Sequence, residues 1–299
     1  MKTAPFLKKK DKVAIVATAR KATQEDLQPA IQLLEAWGLQ AVIGSSIGLE
    51  EHQFAGSDKE RAEDLQQQLN DPEIKAIWCA KGGYGTVRIL DLIDFSAFKE
   101  NPKWIIGYSD VTALHSHLHN LGIATLHAQM CLGVETKSEA SRETLRKVLF
   151  GEELTYEFST SSLNKTGTTK GELVGGNLSV LYSLCGSNSA INTQGKILFL
   201  EDLDEYLYHI DRMMQNLKRN GMLENLAGLI VGGMNAMNDN TIPFGKTAEE
   251  IITETVAAYD FPVAFNFPAG HIEHNQALIF GRRVKLEVND ENSFLSYLK

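Results

Sequence analysis

Short apolar runs alternate with helical patterns through the first half of the chain. The predicted strands are residues 13–17, 39–43, 74–80, 104–107 and 124–127. Strands separated by roughly ten to fifteen residues of helical pattern are typical of βαβ units on a parallel sheet. Sites in such sheets form beyond the carboxyl ends of the strands, so residues 81–85 and 108–110 are predicted to lie on the functional edge.

Capping patterns mark two of the helices in this half. Residues 23–26 (Thr-Gln-Glu-Asp) combine an N-cap with acidic residues, which predicts a helix that runs from there to Trp37. Residues 57–60 (Ser-Asp-Lys-Glu) match a capping box, and the helix that follows is predicted to end near Leu69. A further helix is predicted over residues 110–120.

The pattern changes around residues 158–170, which are polar and turn-rich and predict a linker. The predicted elements beyond it are a helix after Asn177, a strand at 196–200, helices at 206–220 and 247–259, and short β segments at 229–231, 262–265, 277–280 and 284–288. This half is therefore expected to be a smaller, more β-rich α/β domain. The predicted division is a domain at 1–160, a linker at 161–170 and a domain at 171–299.

Composition narrows the class of protein. With 43% hydrophobic and 22% charged residues over 299 positions, the chain has the balance of a soluble globular enzyme. Its net charge of −9 opposes binding to nucleic acid or anionic lipid. No run approaches the roughly twenty apolar residues of a membrane span, and no apolar segment follows the basic N-terminus as in a secretory signal. The three widely spaced cysteines form neither a disulfide framework nor a zinc-ligand spacing, which predicts a reducing cytoplasm.

Ser109 lies where a predicted strand passes through Gly107 into a predicted helix. A serine there has the position of a nucleophile elbow, beside the free N–H groups of a helix start that can stabilise an oxyanion. The pattern departs from Gly-x-Ser-x-Gly, because Val111 replaces the second glycine. On local sequence alone, N-capping by Ser109 or Asp110 is the commoner use of these residues.

A glycine-rich segment, residues 81–86 (Lys-Gly-Gly-Tyr-Gly-Thr), follows another predicted strand. Glycines permit positive φ and let backbone N–H groups approach a bound group closely. The spacing matches neither a dinucleotide fingerprint nor a P-loop. The segment is therefore predicted to form one wall of a site, or only a tight turn.

A serine nucleophile needs a base, and the base needs a group that orients it. His271 lies in a predicted loop and is the first candidate for the base, with His274 as its main competitor. His127 ends a predicted strand and lines the pocket or satisfies its own hydrogen bonds. Three further histidines on the helix after Ser109 are predicted to be polar surface positions: His115, His117 and His119.

Glu201 is the candidate for the orienting acid, because it ends an apolar strand. Asp202, Asp204 and Glu205 follow it and are typical of a helix start. A solvated acidic turn explains all four residues equally well.

In this order, the serine, glutamate and histidine segments resemble the LD-carboxypeptidase family, which comprises muramoyl-tetrapeptide carboxypeptidases and microcin-immunity peptidases. The resemblance covers nearly the whole chain. It is carried by residues 82–85 with Arg88, 102–103 leading into 107–114, 175–178 (Gly-Gly-Asn-Leu), 200–202 (Leu-Glu-Asp), and 270–271 with Asn275.

The resemblance implies a serine carboxypeptidase that removes the terminal D-alanine of murein tetrapeptides in cytoplasmic cell-wall recycling. It implies that Ser109 is the nucleophile, His271 the general base and Glu201 its orienting acid. It also implies an oxyanion hole formed by the backbone N–H groups of Asp110 and Gly83.

The implied fold is a Rossmann-like parallel-sheet N-terminal domain followed by a smaller β-rich α/β domain. The family needs no metal or organic cofactor and usually forms homodimers, and its substrate is a small peptide, free or linked to a sugar or nucleotide. Arg88 is a candidate to bind the terminal carboxylate of the substrate, although it equally fits an ion pair with Asp91 or Asp94 on its own helix.

Two other functions stay open. One is a microcin-immunity-type peptidase acting on peptidyl or aminoacyl nucleotides, which would need a pocket for an adenylate. The other is a non-catalytic Rossmann-type module that binds a nucleotide or sugar. The second would make the order of Ser109, Glu201 and His271 accidental.

Overall fold

The computed structural model describes residues 1–298. In chain order the strands are β1 (Lys12–Val16), β2 (Gln40–Ile43), β3 (Ile74–Cys79), β4 (Trp104–Gly107), β5 (Thr125–His127), β6 (Thr155–Ser159), β7 (Gly167–Asn177), β8 (Ile197–Leu203), β9 (Gly228–Asn235), β10 (Val263–Ala264), β11 (Leu278–Phe280), β12 (Arg283–Val288) and β13 (Asn292–Tyr297). The helices are α1 (Gln28–Ala36), α2 (Asp58–Asn70), α3 (Ser96–Glu100), α4 (Thr112–Asn120), α5 (Glu139–Phe150), α6 (Leu178–Ser183), α7 (Leu207–Arg219) and α8 (Ala248–Val256). These described residues form two compact units, 1–153 with 273–279, and 154–272 with 280–298.

The first unit contains a sheet with strand order β11-β5-β4-β3-β1-β2. The pairs β1–β2, β1–β3, β3–β4 and β4–β5 are all parallel. The central strands are buried along almost their whole length, and Trp78 and Trp104 are fully buried among them. Strands that are buried on both faces consist of continuous runs of apolar residues. Because such runs are easily recognised, the sequence predicts these strands well.

The second unit contains a mixed sheet with strand order β10-β9-β8-β7-β12-β13-β6. Strands β7 to β10 pair in parallel, whereas β12 pairs antiparallel with both β7 and β13. Helix α7 lays Ile210, Met213 and Leu217 into the core of this unit. The predicted α/β class, with a parallel sheet first and a more β-rich half after it, is confirmed.

Helix α1 begins later than the sequence predicts. Thr23 does cap locally, since its hydroxyl accepts a hydrogen bond from the Asp26 N–H at 3.2 Å. The helix itself starts at Gln28, with Pro29 in its first turn. Proline lacks an N–H donor and is tolerated only in the first turn, so a helix running through it from residue 24 is excluded.

The residues predicted as a linker contribute instead to the second unit. Residues 155–159 form β6, and Gly167–Asn177, which begins inside the predicted linker at 161–170, forms β7. Strand β7 begins with the polar pattern Gly-Thr-Thr-Lys, whose side chains alternate between exposed and half-buried. A half-exposed strand rich in threonine lacks the apolar signal of a core strand, although threonine favours β structure.

Apolar helices of membrane-spanning length do not occur in residues 1–298.

Candidate functional site

Ser109 lies on a sharp turn between β4 and α4. Its φ is +59°, in the left-handed region that residues other than glycine rarely adopt. A one-turn 3₁₀ helix, Ser109–Val111, continues directly into α4. Gly107 is required just before it, because a Cβ there would come within 2.8 Å of Val111 Cγ2. The strand, strained serine and helix have the geometry of a nucleophile elbow.

The Asp110 side chain does not cap the helix. The cap positions of the 3₁₀ turn and of α4 are Tyr108 and Val111, and neither carries a side-chain capping bond. Asp110 is buried and accepts a hydrogen bond from the Thr86 N–H at 2.8 Å, and burial raises the pKa of its carboxyl group. Asp110 therefore ties the glycine-rich segment to the turn that carries Ser109.

The glycine-rich segment packs directly against Ser109. A Cβ added at Gly82 would lie 3.4 Å from Ser109 Cβ and 2.7 Å from Met130 Cε. Gly83 has φ +101° and is exposed. Within residues 1–298, the backbone N–H groups of Gly83 and Asp110 donate no hydrogen bond. Both N–H groups are thus available to a bound oxyanion.

A buried arginine that the sequence analysis does not single out holds this segment in place. Arg61 of α2 is 1% exposed, and its Nη1 donates to the carbonyl oxygens of Thr18 at 2.6 Å and Gly85 at 3.0 Å. The Thr18 and Thr86 hydroxyls are hydrogen-bonded at 2.8 Å. A charged residue in the middle of a polar helix carries no sequence signal for burial, so only the tertiary fold reveals its role.

Arg88 is committed to an acid on another helix. Its Nε and Nη2 form a bidentate pair with the Asp58 carboxylate of α2, at 2.8 Å and 2.6 Å. Neither Asp91 nor Asp94, the partners suggested by sequence, is the ion-pair partner. Arg88 also lies over the Phe54 ring, 5.3 Å from its centroid.

In the second unit, β8 presents Glu201 to His271. Glu201 is fully buried, and its Oε2 accepts hydrogen bonds from His271 Nδ1 at 2.7 Å and from the His271 backbone N–H at 3.1 Å. The Asn235 side chain of β9 donates to the His271 carbonyl oxygen at 2.8 Å. The imidazole is therefore oriented by two neighbouring strands, and a protonated Nδ1 leaves Nε2 as the acceptor.

Gly270 makes this contact possible. Its φ is +108°, and a Cβ there would come within 2.7 Å of both Cβ and Oε2 of Glu201. His274, the competing candidate for the base, is exposed and belongs to the segment 273–279 of the first unit. Glu201 thus pairs with His271.

Asp202 is the second buried acid of β8 and directly follows Glu201. It accepts hydrogen bonds from Asn177 Nδ2 at 2.9 Å and from the Ser179 N–H at 2.8 Å. Burial, together with the neighbouring Glu201 carboxylate, raises the pKa of Asp202 to about 6. Asp202 is therefore neither a helix-start acid nor part of a solvated acidic turn, the two interpretations left open by the sequence, because β8 runs on to Leu203 and buries it.

The prediction that three histidines of α4 are surface positions is wrong as well. His115 and His119 are buried and His117 is half-buried, because nearly the whole circumference of α4 is covered. His115 Nε2 forms a hydrogen bond with the Gly107 carbonyl oxygen at 2.9 Å, and burial lowers the pKa of His115 to about 4.

His127, at the end of β5, is also buried, with its ring edge-on to Tyr108 at 5.9 Å. Of the cysteines, Cys79 and Cys131 are buried, and burial raises the pKa of the Cys79 thiol to about 12. Groups of three His, Cys, Asp or Glu side chains arranged to hold a metal ion do not occur in the part of the chain that the structure describes.

The chain is similar to known proteins over both units. Residues 13–128 match the LD-carboxypeptidase N-terminal domain, and residues 170–286 match the LD-carboxypeptidase C-terminal domain. A probable murein peptide carboxypeptidase of Bacillus subtilis is 34% identical, over 97% of this chain and 92% of that protein. A murein tetrapeptide carboxypeptidase of Pseudomonas aeruginosa is 27% identical, over 93% of this chain and 94% of that protein.

Similarity extends to the microcin branch and to solved structures. The microcin C7 self-immunity protein of Escherichia coli is 24% identical over 88% of this chain and 85% of that protein. The crystal structure of muramoyltetrapeptide carboxypeptidase from Oxalobacter formigenes superposes with a TM-score of 0.88 at 24% identity, covering 96% of this chain and 99% of that one.

Proposed function

This chain belongs to the LD-carboxypeptidase family, and from that premise we propose that it releases the terminal D-alanine of murein tetrapeptides by cleaving an L–D peptide bond. The similarity to its relatives identifies the chain as a carboxypeptidase, and two of these relatives are named as murein peptide carboxypeptidases. The observation that carries the serine mechanism is the strained turn at Ser109, whose φ is +59°.

The proposal gives three residues a catalytic role. The first unit supplies Ser109 as nucleophile, and the second supplies His271 as general base with Glu201 as its orienting acid. The hydrogen bond of 2.7 Å between Glu201 and His271 Nδ1 supports these roles, because it leaves Nε2 to accept the serine proton. The two units are then the functional domains, one for the nucleophile and one for the base.

The reaction follows from these positions. His271 takes the proton of Ser109 as the hydroxyl attacks the scissile carbonyl, and Glu201 stabilises the imidazolium that forms. The N–H groups of Gly83 and Asp110 hold the tetrahedral oxyanion. His271 then protonates the amine of the departing D-alanine, and water activated by His271 hydrolyses the acyl-enzyme.

The test is to incubate the protein with murein tetrapeptide, free and linked to UDP-MurNAc, and to follow loss of D-alanine by mass spectrometry. Ser109→Ala should lower kcat about 10⁴-fold or more, because the nucleophile is removed. Ser183→Ala, at an exposed serine that ends α6, is the matched control and should retain wild-type activity. Retained activity in Ser109→Ala would refute the nucleophile assignment.

The microcin-immunity relative motivates a second substrate class in the same assay. One solved structure similar to this chain, with TM-score 0.87 and 22% identity, is titled as a microcin C7 self-immunity protein in complex with aspartyl sulfamoyl adenosine. Cleavage of aminoacyl adenylates but not of tetrapeptides would assign the chain to that branch. Cleavage of neither would favour the non-catalytic binding module.

We place this activity in the cytoplasm, on peptides recovered from the cell wall, and expect a homodimer. Both statements rest on the family. Light scattering of the purified chain and fractionation of the cells that contain it are the measurements that check them.

A further inference from the structure

A carboxypeptidase must recognise a free terminal carboxylate as well as the bond that it cuts. The two Cα atoms that flank a trans peptide bond are about 3.8 Å apart, so the carboxylate of the departing residue lies close to the scissile carbonyl. A cation that binds it must therefore lie beside the oxyanion hole. This requirement rests on the function proposed above.

The arginine suggested by sequence does not fit that requirement. Arg88 has its Nε and Nη2 donors engaged by the Asp58 carboxylate in a bidentate pair. Recruiting it would leave Asp58 with the buried Arg61 as its ion-pair partner and would break a charge-assisted pair of the strong kind.

Arg20 lies beside the oxyanion segment instead. Its side chain crosses Gly83 so closely that a Cβ on that glycine would come within 2.5 Å of both Cδ and Nε of Arg20. Gly83 is the residue whose backbone N–H is proposed to hold the oxyanion. Nε is itself part of the guanidinium group, so this planar group lies against Gly83.

The backbone of Arg20 is fixed while its side chain is exposed. Arg20 forms an antiparallel bridge with Phe54, and the neighbouring Ala19 carbonyl oxygen accepts from the Ala55 N–H at 3.1 Å. Within residues 1–298, Arg20 forms no ion pair. Because the backbone of Arg20 is held and its guanidinium group has no ion-pair partner among these residues, the planar set of N–H donors is open to a carboxylate.

The neighbouring cations are less suited to this role. Lys21 pairs with Glu50 across the surface. Lys81 is half-buried and interacts with Asp26, whose pKa it helps to lower after the hydrogen bonds from Thr23. Neither lysine offers the bidentate geometry that a planar guanidinium offers a carboxylate.

We propose that Arg20 binds the terminal carboxylate of the peptide substrate and so restricts the enzyme to carboxypeptidase cleavage. The side chain acts from across Gly83, on the same segment that supplies an oxyanion donor. Arg20 thus couples recognition of the chain end to the position of the scissile carbonyl.

The experiment compares two substrates that differ only at the chain end, a murein tetrapeptide with a free terminal carboxylate and its terminal amide. For each, kcat/KM is measured from release of D-alanine or D-alanine amide. Arg20→Met should lower kcat/KM for the acid about 10- to 100-fold, mainly through KM, and leave the amide unchanged. The kcat/KM of Arg20→Lys for the acid should lie between the values of the wild type and Arg20→Met, because lysine keeps the positive charge but lacks the planar pair of donors.

Lys21→Met is the matched control, since it removes an adjacent exposed cation that already has a partner. It should keep the wild-type preference for the acid. Thermal unfolding of each variant checks that the exposed substitutions leave the fold intact.

Suppose that the wild-type enzyme releases D-alanine and that Arg20→Met keeps the wild-type ratio of kcat/KM for the acid to kcat/KM for the amide. This result would overturn the Arg20 assignment and leave the proposed function standing. A loss of the preference in Arg88→Met alone would give the role to Arg88. If the wild-type enzyme releases neither D-alanine from the acid nor D-alanine amide from the amide, the proposed function fails, and the role of Arg20 fails with it.

Discussion

At the scale of single residues, glycines decide whether the proposed catalytic groups can approach their neighbours. Gly270 leaves the room in which Glu201 reaches both the backbone and the ring of His271. Gly82 likewise lets the glycine-rich segment approach Ser109. In both places, the position of the proposed catalytic side chain depends on a neighbouring glycine.

Gly270→Ala tests this dependence. Its methyl group would overlap Glu201 and the residue would be held at φ +108°, so the Glu201–His271 pair should separate. We expect kcat to fall on the order of 10²-fold or more, because the base loses its orientation. The measurement is steady-state kinetics on murein tetrapeptide.

Gly186→Ala is the control for backbone strain. Gly186 has φ +83° in the same unit, but nothing lies within 4 Å of an added Cβ. Gly186→Ala should lower the free energy of unfolding but leave kcat at the wild-type value. Equal kinetic losses in both variants would mean that strain, not the contact with Glu201, is responsible.

At the scale of elements, α4 shows how a polar sequence can become a buried helix. It follows the turn that carries Ser109, and its three histidines and one serine suggest a solvent-exposed face. Burial destabilises the charged form of His115. The neutral ring is held in place by its hydrogen bond with the Gly107 carbonyl oxygen at 2.9 Å. The helix therefore depends on His115 staying neutral.

This dependence predicts a loss of stability in mild acid. The folded-state pKa of His115, about 4, lies below the unfolded value of 6.5, so its contribution is complete above pH 6.5 and is lost as the pH falls toward 4. The loss at pH 4 should approach roughly 3 kcal/mol. Urea unfolding between pH 7 and pH 4 measures it.

His115→Gln should flatten that pH dependence, because glutamine keeps a side-chain donor but does not titrate. His274→Gln, at an exposed histidine, should retain the wild-type slope. If His115→Gln loses stability with falling pH as steeply as the wild type does, another group is responsible.

At the scale of the whole molecule, the proposed mechanism makes Ser109 and His271 members of one triad. Residues of a triad act together, so removing a second member adds little once the first is gone. The double variant Ser109→Ala/His271→Ala should therefore have the kcat of Ser109→Ala alone. Single-turnover kinetics of the four proteins gives the coupling. Losses that multiply would show that the two residues work independently.

The whole-molecule prediction from sequence was strongest where burial is complete. The α/β class and the core strands β1, β3 and β4 were predictable, since strands covered on both faces are continuous apolar runs. Strands β6 and β7 were not, because their exposed faces carry the polar residues that a linker also carries.

The sequence by itself determined the order of the serine, the acid and the histidine, and the turn that carries Ser109, because these depend on local residue type and on strand-to-helix spacing. The tertiary structure decided which histidine Glu201 contacts, that Asp110 holds Thr86 rather than caps a helix, and that Arg88 is engaged while Arg20 is open. Those choices depend on distances between residues far apart in the chain. Local pattern carries no record of such distances, and only the packed fold sets them.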